Sequence, residues 1–311
     1  MRSFDRRRKR DVATPSSVCN HPPFEIEEPN LPLLPHHCTV AALYTYPVKS
    51  CRGTAVESAR ISPTGIEGDR QLMVLAQGRF VNQVRLPKLA TVATRRIDPT
   101  TIAFHTVGGA PFVHSVAADG AGTTVSYYGN SVPVVDQGDA VAAWISEAVG
   151  AELRVAALKA AFRRSVPLAE FAVVDGIDQS RFVDVAPILM TNTASLADLN
   201  ARLETPVPMT RFRPNIVIDG LDAFGEDSVS DMRHGEVRLV RATHCERCAV
   251  TCNDQETGQR SAEPLRTLRS YRHRENGYAG GVLFGAYMGV EGTATICVGD
   301  TFAVGAPADD P

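Results

Sequence analysis

No stretch of this 311-residue chain approaches the roughly 18 consecutive apolar residues that a membrane-crossing helix requires. Aromatic residues are scarce, at 6% with a single Trp, which weighs against a surface for stacking bases. No charge of one sign dominates: the net charge of −3 argues against a protein built mainly for nucleic acid. The first ten residues carry a run of basic side chains, but 11–35 contain no apolar core of a signal peptide. Nor is there an internal repeat. Cysteine is sparse and odd in number, seven in all, with Cys19, Cys38, Cys51 and Cys297 scattered. A secreted disulfide framework is therefore disfavoured, and a reducing, cytoplasmic setting is expected.

What is present is globular. An apolar fraction of 44% against 22% charged residues supplies two cores, and the length suggests about two domains. Residues 1–37 read as a disordered leader, because Arg6-Arg7-Arg8-Lys9-Arg10 is a solvated charge run and Pro22, Pro23, Pro29, Pro32 and Pro35 then block regular structure. From Cys38 onward short apolar runs alternate with turn signals. Strands are expected at 39–46, 55–61, 71–76, 79–84, 89–97, 101–106, 111–117 and 123–128, the spacing of an antiparallel barrel or sandwich. A helix over 139–149, with Asp139 as its cap, carries Val141, Trp144, Ile145 and Val149 at helical spacing. Further strands are expected at 153–158, 188–191, 215–220, 237–240, 294–298 and 302–304. One helix follows Thr193 or Ser195, with Leu196, Leu199 and Leu203 on one face, and another starts at Pro264.

Chemistry concentrates in His244-Cys245-Glu246-Arg247-Cys248-Ala249-Val250-Thr251-Cys252, which holds three of the seven cysteines. Cys245-x-x-Cys248 is half a zinc set, since no second pair lies downstream. As a redox pair it lacks a surrounding βαβ pattern. As a single-thiolate site it has a physical rationale, because Arg247 beside Cys248 favours the thiolate that binds soft or high-valent metals. Buried inert cysteines are the competing reading. Elsewhere cations stand next to turns: Lys49-Ser50 after Tyr46-Pro47, Arg70 after Gly68-Asp69, and Arg213 before Pro214-Asn215. Arginine forks and turn amides suit phosphate, although each cation taken alone is more often a solvated surface charge. Asp184 reads either as a general acid or as a cap.

These motifs, in this order, resemble the MOSC family (molybdenum cofactor sulfurase C-terminal domain) joined to the β-barrel domain that commonly precedes it. Within the family, the resemblance is to its amidoxime-reducing branch. The carriers are Tyr46-Pro47-Val48-Lys49-Ser50, Gly68-Asp69-Arg70, Phe212-Arg213-Pro214-Asn215, Glu226-Asp227-Ser228, Arg247-Cys248-Ala249-Val250-Thr251, Thr257-Gly258 and Val298-Gly299-Asp300. The resemblance implies a mostly β (α+β) fold: an N-terminal β-barrel-like domain over 38–160 packed on a C-terminal MOSC β-barrel domain over 161–306, with a tail at 307–311.

By the same resemblance, Cys248 supplies a thiolate to molybdenum. Lys49, Ser50, Arg70, Arg213, Asn215 and Arg247 hold the pterin and its phosphate, and Asp184 manages protons near the metal. Cys245 and Cys252 match no ligand position. The implied activity is molybdenum-cofactor-dependent reduction of N-hydroxylated small molecules. A persulfide sulfur carrier built on Cys248 is the alternative, and a weaker one is pyridoxal phosphate on Lys49. Electrons are expected from a separate donor of the ferredoxin or cytochrome b5 type, because no cysteine-rich module follows Val304. The chain departs from eukaryotic members in lacking a membrane anchor. It also carries Glu246 where a small polar residue is usual, an acid expected to disfavour anionic substrates or adjust a proton path. Substrate choice is expected to lie in the loops 160–183 and 272–282.

Overall fold

The computed structural model describes residues 37–305, apart from 121, 128–129, 160–163 and 166–178. The expected leader, except His37, and the tail therefore lie outside the described residues, as does most of the 160–183 loop. Twelve strands build two barrels. In chain order they are β1 (His37–Thr45), β2 (Leu72–Ala76), β3 (Arg79–Phe80), β4 (Gly122–Tyr127), β5 (Asn130–Asp136) and β6 (Arg154–Leu158). There follow β7 (Ile188–Asn192), β8 (Ile216–Asp219), β9 (Asp231–His234), β10 (Val237–Glu246), β11 (Leu283–Glu291) and β12 (Thr301–Val304). Three helices accompany them among the described residues: α1 (Asp139–Val149), α2 (Thr193–Ala201) and α3 (Leu265–Tyr271). The protein is mostly β.

The larger barrel runs β8-β7-β11-β10-β9-β12-β1 and closes where β1 pairs with β8. Closure leaves no open edge within that ring. Its first strand thus comes from the start of the described chain and the other six from residues after 187. Alternation explains β1: Cys38, Val40 and Leu43 point into the core, and a bulge between Val40 and Ala42 keeps the apolar side inward. Ile188, Met190, Ile216, Ile218, Leu239, Met288 and Phe302 fill the same interior. β11 was invisible to strand patterning because glycines interrupt it. One of them, Gly285, has φ of +82°, and a Cβ there would stand 2.6 Å from the Met190 carbonyl oxygen. The close pairing with β7 requires glycine.

The smaller barrel runs β4-β5-β6-β2-β3 and is nearly closed. Side chains bridge the gap, with the Phe80 and Tyr127 rings edge to face at 5.1 Å. β2 is buried on both faces, which is why Leu72-Met73-Val74-Leu75 reads as an unbroken apolar run. Met73 and Leu75 face the barrel interior, whereas Leu72 and Val74 pack under Val141, Ile145 and Val149 of α1.

Several expected elements differ in detail. The 55–61 strand divides at Glu57: Thr54–Val56 pairs with β1 and Ser58–Ser62 with Ala294–Cys297. The 79–84 strand stops at Phe80, because the Asn82 side chain accepts from the amides of Val84 and Arg85 and turns the chain. The start of 89–97 is a 3-10 turn, Pro87–Thr91. Gly138, not Asp139, is the N-cap of α1, while Asp139 pairs with Arg154. Asn192 caps α2 by accepting from the Ala194 amide, and Ser195 is turned inward instead.

That inward Ser195 hydroxyl donates to the Glu226 carboxylate at 2.7 Å. Glu226 is fully buried; burial first, and the neighbouring Asp227 charge second, push its carboxyl up to about 7. Asp227 is itself held by Arg272. A carboxyl that keeps its proton in the fold while the unfolded chain has lost it makes stability fall as pH rises from about 4.5 to about 7. Glu226→Gln, which retains the serine contact, is expected to flatten that part of the curve. Melting temperatures of both proteins from about pH 4 to pH 8 check this; parallel curves would reject it.

Candidate functional site

The chain leaves the large barrel at the end of β1 and crosses to the small one through Tyr46-Pro47-Val48-Lys49-Ser50. The Leu72 amide donates to the Pro47 carbonyl at 3.1 Å, and the Lys49 amide donates to the Leu72 carbonyl at 2.8 Å. The Lys49 cation and the Ser50 hydroxyl of this segment are thereby placed on one cavity of about 480 Å³. The same cavity is lined by Arg70, Asp184, Arg213, Asn215, Arg247 and Cys248, so all eight residues singled out in the sequence converge on it.

Three of those residues, Ser50, Arg70 and Arg213, have positive φ (72°, 48° and 58°). Left-handed backbone is uncommon outside glycine and clusters where surrounding structure enforces it. No sequence pattern announces it here.

The polar wiring is specific. Buried Asp69 accepts from the Tyr46 amide at 2.7 Å, from Asn215 Nδ2 at 3.2 Å and from the Arg70 guanidinium. Asn215 Oδ1 accepts from Arg70 at 3.1 Å and from the Leu189 amide at 3.2 Å. Asn215 is thus saturated by protein groups and acts as a brace. Tyr46 donates to the Pro214 carbonyl at 3.0 Å, and its ring carries Arg70 at 4.6 Å and Arg213 at 4.4 Å. Lys49 Nζ meets Asp184 Oδ1 at 2.7 Å and lies 5.5 Å from the Phe80 and Tyr127 ring centres. Burial pushes the Lys49 ammonium below its ordinary pKa, with Asp184 opposing.

At the opposite end of the motif list, β10 extends six residues beyond the expected 237–240 and delivers Cys245 and Glu246 to the cavity region. Arg247 is not placed on Cys248. Its Nη1 donates to Cys245 Sγ at 2.6 Å and its Nη2 to the Phe212 carbonyl at 2.6 Å. The expectation that Arg247 favours the Cys248 thiolate beside it is refined accordingly: its direct thiol contact is with buried Cys245, whose pKa burial pushes up, while Cys248 remains within its electrostatic reach. Cys248 is exposed at the head of the 3-10 turn Ala249–Cys252, its carbonyl accepting from the Thr251 amide and hydroxyl. Sequence reasoning missed Asp69 as a hub, and also Gln83, whose side chain donates to the Ser50 carbonyl at 2.7 Å. It missed Asn253 and Arg260 as well, which both donate to the Gln83 carbonyl.

Among the described residues the charges of the site do not balance. Asp69 compensates Arg70 and Asp184 compensates Lys49. Arg213 donates to the Cys51 carbonyl at 2.5 Å, and neither it nor Arg247 has a carboxylate within ion-pair distance among the described residues. Arg247 Nε is buried without an acceptor. Buried and part-buried guanidinium groups left in this state call for an anionic partner, and a phosphate meets that need. The exposed thiol a few residues away offers a soft metal ligand. This donor set fits a phosphorylated, metal-bearing cofactor. No cluster of three or more His, Cys, Asp or Glu side chains poised for a bare metal ion occurs among the described residues.

Comparison with known proteins gives the same grouping. The MOSC domain matches residues 178–303, and the MOSC N-terminal beta barrel domain matches 37–152. Mitochondrial amidoxime-reducing component 1 of Homo sapiens is 35% identical over 274 residues, covering 84% of this chain and 81% of that protein. Mitochondrial amidoxime reducing component 2 of Bos taurus is 30% identical over 275 residues, covering 84% and 82%. Molybdenum cofactor sulfurase of Oryza sativa subsp. japonica is 30% identical over 278 residues, covering 80% of this chain and 32% of that protein.

Proposed function

Because the chain belongs to the MOSC family, with a MOSC domain behind the family's N-terminal β-barrel domain, we propose that it is a molybdenum-cofactor-dependent reductase of N-hydroxylated compounds such as amidoximes and hydroxylamines. The observation that carries this reading is the union, on one cavity, of the exposed Cys248 thiol with part-buried Arg213 and buried Arg247, which have no carboxylate partner among the described residues. A persulfide carrier needs the thiol but has no use for the cation set.

Cys248 would ligate the metal, Arg213 and Arg247 would hold the cofactor's anionic end, and Arg70, braced by Asp69 and Asn215, would close that cradle. The bound cofactor supplies the two-electron chemistry that cleaves an N–O bond. Asp184 is half exposed and hydrogen-bonded to the Lys49 ammonium, so it holds a carboxylate beside a proton source at the cavity wall. That pair is suited to pass a proton to an oxygen leaving as water. Lys49, already engaged by Asp184, is correspondingly a poor free amine for pyridoxal phosphate. Electrons would come from a separate donor protein. No helix among the described residues is long and apolar enough to cross a membrane.

The test is molybdenum and pterin analysis of the purified protein, followed by turnover of an N-hydroxylated amidine with a reduced viologen dye as donor. The reductase reading expects metal, pterin and amidine product together. A cyanide-labile sulfur on Cys248 without pterin would overturn it in favour of sulfur transfer, the activity named for the rice relative.

A further inference from the structure

Glu246, the last residue of β10, does not present its carboxylate to the cavity as a free charge. Oε1 accepts from the Tyr278 amide at 2.8 Å, and Oε2 accepts from the amides of Ala279 at 2.5 Å and Gly281 at 2.9 Å. The pairing is reciprocal: the Tyr278 hydroxyl accepts from the Glu246 amide at 3.1 Å and donates to the His244 carbonyl at 3.0 Å. The loop is shaped around this carboxylate. A Cβ at Gly277 would lie 2.2 Å from Glu246 Oε1, and one at Gly281, whose φ is +73°, would lie 2.0 Å from the Arg274 carbonyl oxygen.

Backbone ladders hold only the two feet of the loop, Arg274 to Gly281 and Arg272 to Leu283. Within the loop the carboxylate gathers three backbone amides, those of Tyr278, Ala279 and Gly281. Tyr278 and Ala279, the residues it fixes, line the same cavity as Cys248, and Tyr278 is 40% exposed. We infer that Glu246 is a positioning residue that pins Tyr278 as the gatepost of the Cys248 cavity and so sets the bulk of molecule that reaches the thiol. Three charge-assisted bonds from rigid backbone to one carboxylate are a strong local restraint, and loops of this kind decide access when a fixed scaffold holds them. The inference holds whichever group Cys248 carries.

The experiment uses the full chain purified from a host that makes no pterin, so that the Cys248 thiol is free. Hydrogen exchange over 275–282 is measured for the wild type, Glu246→Gln and Glu246→Ala. Peptide-resolved alkylation of Cys248 by iodoacetamide and by a bulky maleimide is measured in parallel, which keeps exposed Cys297 out of the readout. In Glu246→Ala, exchange in the loop should rise about tenfold or more, as expected when hydrogen bonds worth over ~1.4 kcal/mol are lost. The maleimide-to-iodoacetamide rate ratio should rise several-fold with it. Glu246→Gln, which keeps one amide-accepting oxygen, should fall between, and exchange in α1 should stay unchanged throughout. If Glu246→Ala fails to fold, Glu246→Gln carries the same comparison. Wild-type exchange in the loop, or faster exchange with an unchanged bulk ratio, overturns the inference. A protein that never binds molybdenum would sink the reductase reading and leave this result standing.

Discussion

Replacing Cys248 with serine is expected to strip molybdenum from the purified protein while leaving its fold intact. The thiol is exposed at the head of a short turn, and the turn is held by the Cys248 carbonyl rather than by its sulfur. Serine keeps that carbonyl and the extended backbone of Cys248, so a melting temperature within about two degrees of the wild type is the expected result for a surface substitution. The metal has no such tolerance. A serine hydroxyl is a hard and much less acidic donor than a thiol, and soft or high-valent metals select the thiolate. Molybdenum per chain should fall by about tenfold or more, the effect of losing a ligand contribution above ~1.4 kcal/mol. Cys245→Ser is the informative control. It disturbs a buried sulfur that takes an Arg247 hydrogen bond, so it should lower stability and retain metal. Equal molybdenum in wild type and Cys248→Ser would remove Cys248 from the ligand role, and with it the central element of the proposed function.

Much of the fold was legible because local pattern and tertiary environment agree over most of the chain. β1 alternates, β2 is an unbroken apolar run, and α1 repeats at helical spacing, so each announces its own burial. Pattern failed where a single residue serves a distant partner. β11 carries Gly285 for close passage of β7, and β5 carries Pro133. The run from 79 to 84 looks like a strand until Asn82 turns it. Pairing order was beyond reach for the same reason, since nothing near His37 announces that β1 lies between β12 and β8.

The site followed the same division. Eight residues were identified by motif and resemblance, and all eight line one cavity. Their mutual roles were not legible. Arg247 is adjacent to Cys248 in sequence, yet strand geometry turns its guanidinium back to Cys245 two residues earlier. Glu246, expected to act through its charge, has both oxygens taken by a loop some thirty residues later. Adjacency along a strand places side chains on opposite faces, so neighbours in sequence are poor guides to contact at a strand end.

Asp69→Ala should produce the largest stability loss of any single change at the site, although Asp69 does not line the Cys248 cavity. It is 2% exposed and accepts from Arg70, the Tyr46 amide and Asn215 at once. Alanine leaves a buried guanidinium, a buried amide N–H and a side-chain amide short of acceptors together. Removing one member of a buried ion pair costs about 3–5 kcal/mol, mostly because the surviving charge is left uncompensated. Urea denaturation should register a shift of that size in Asp69→Ala, with Asp69→Asn intermediate because its amide oxygen still accepts. The cause is separable by a second substitution. If the stranded charge dominates, Asp69→Ala combined with Arg70→Met should be more stable than Asp69→Ala alone, an interaction well outside additivity for contacting residues. A double variant less stable than the single one would place the loss in the Tyr46 and Asn215 bonds instead. In either case the cavity depends on Asp69 for its shape, since Asp69 ties the crossing segment at Tyr46 to the Arg70 turn and to the start of β8 through Asn215.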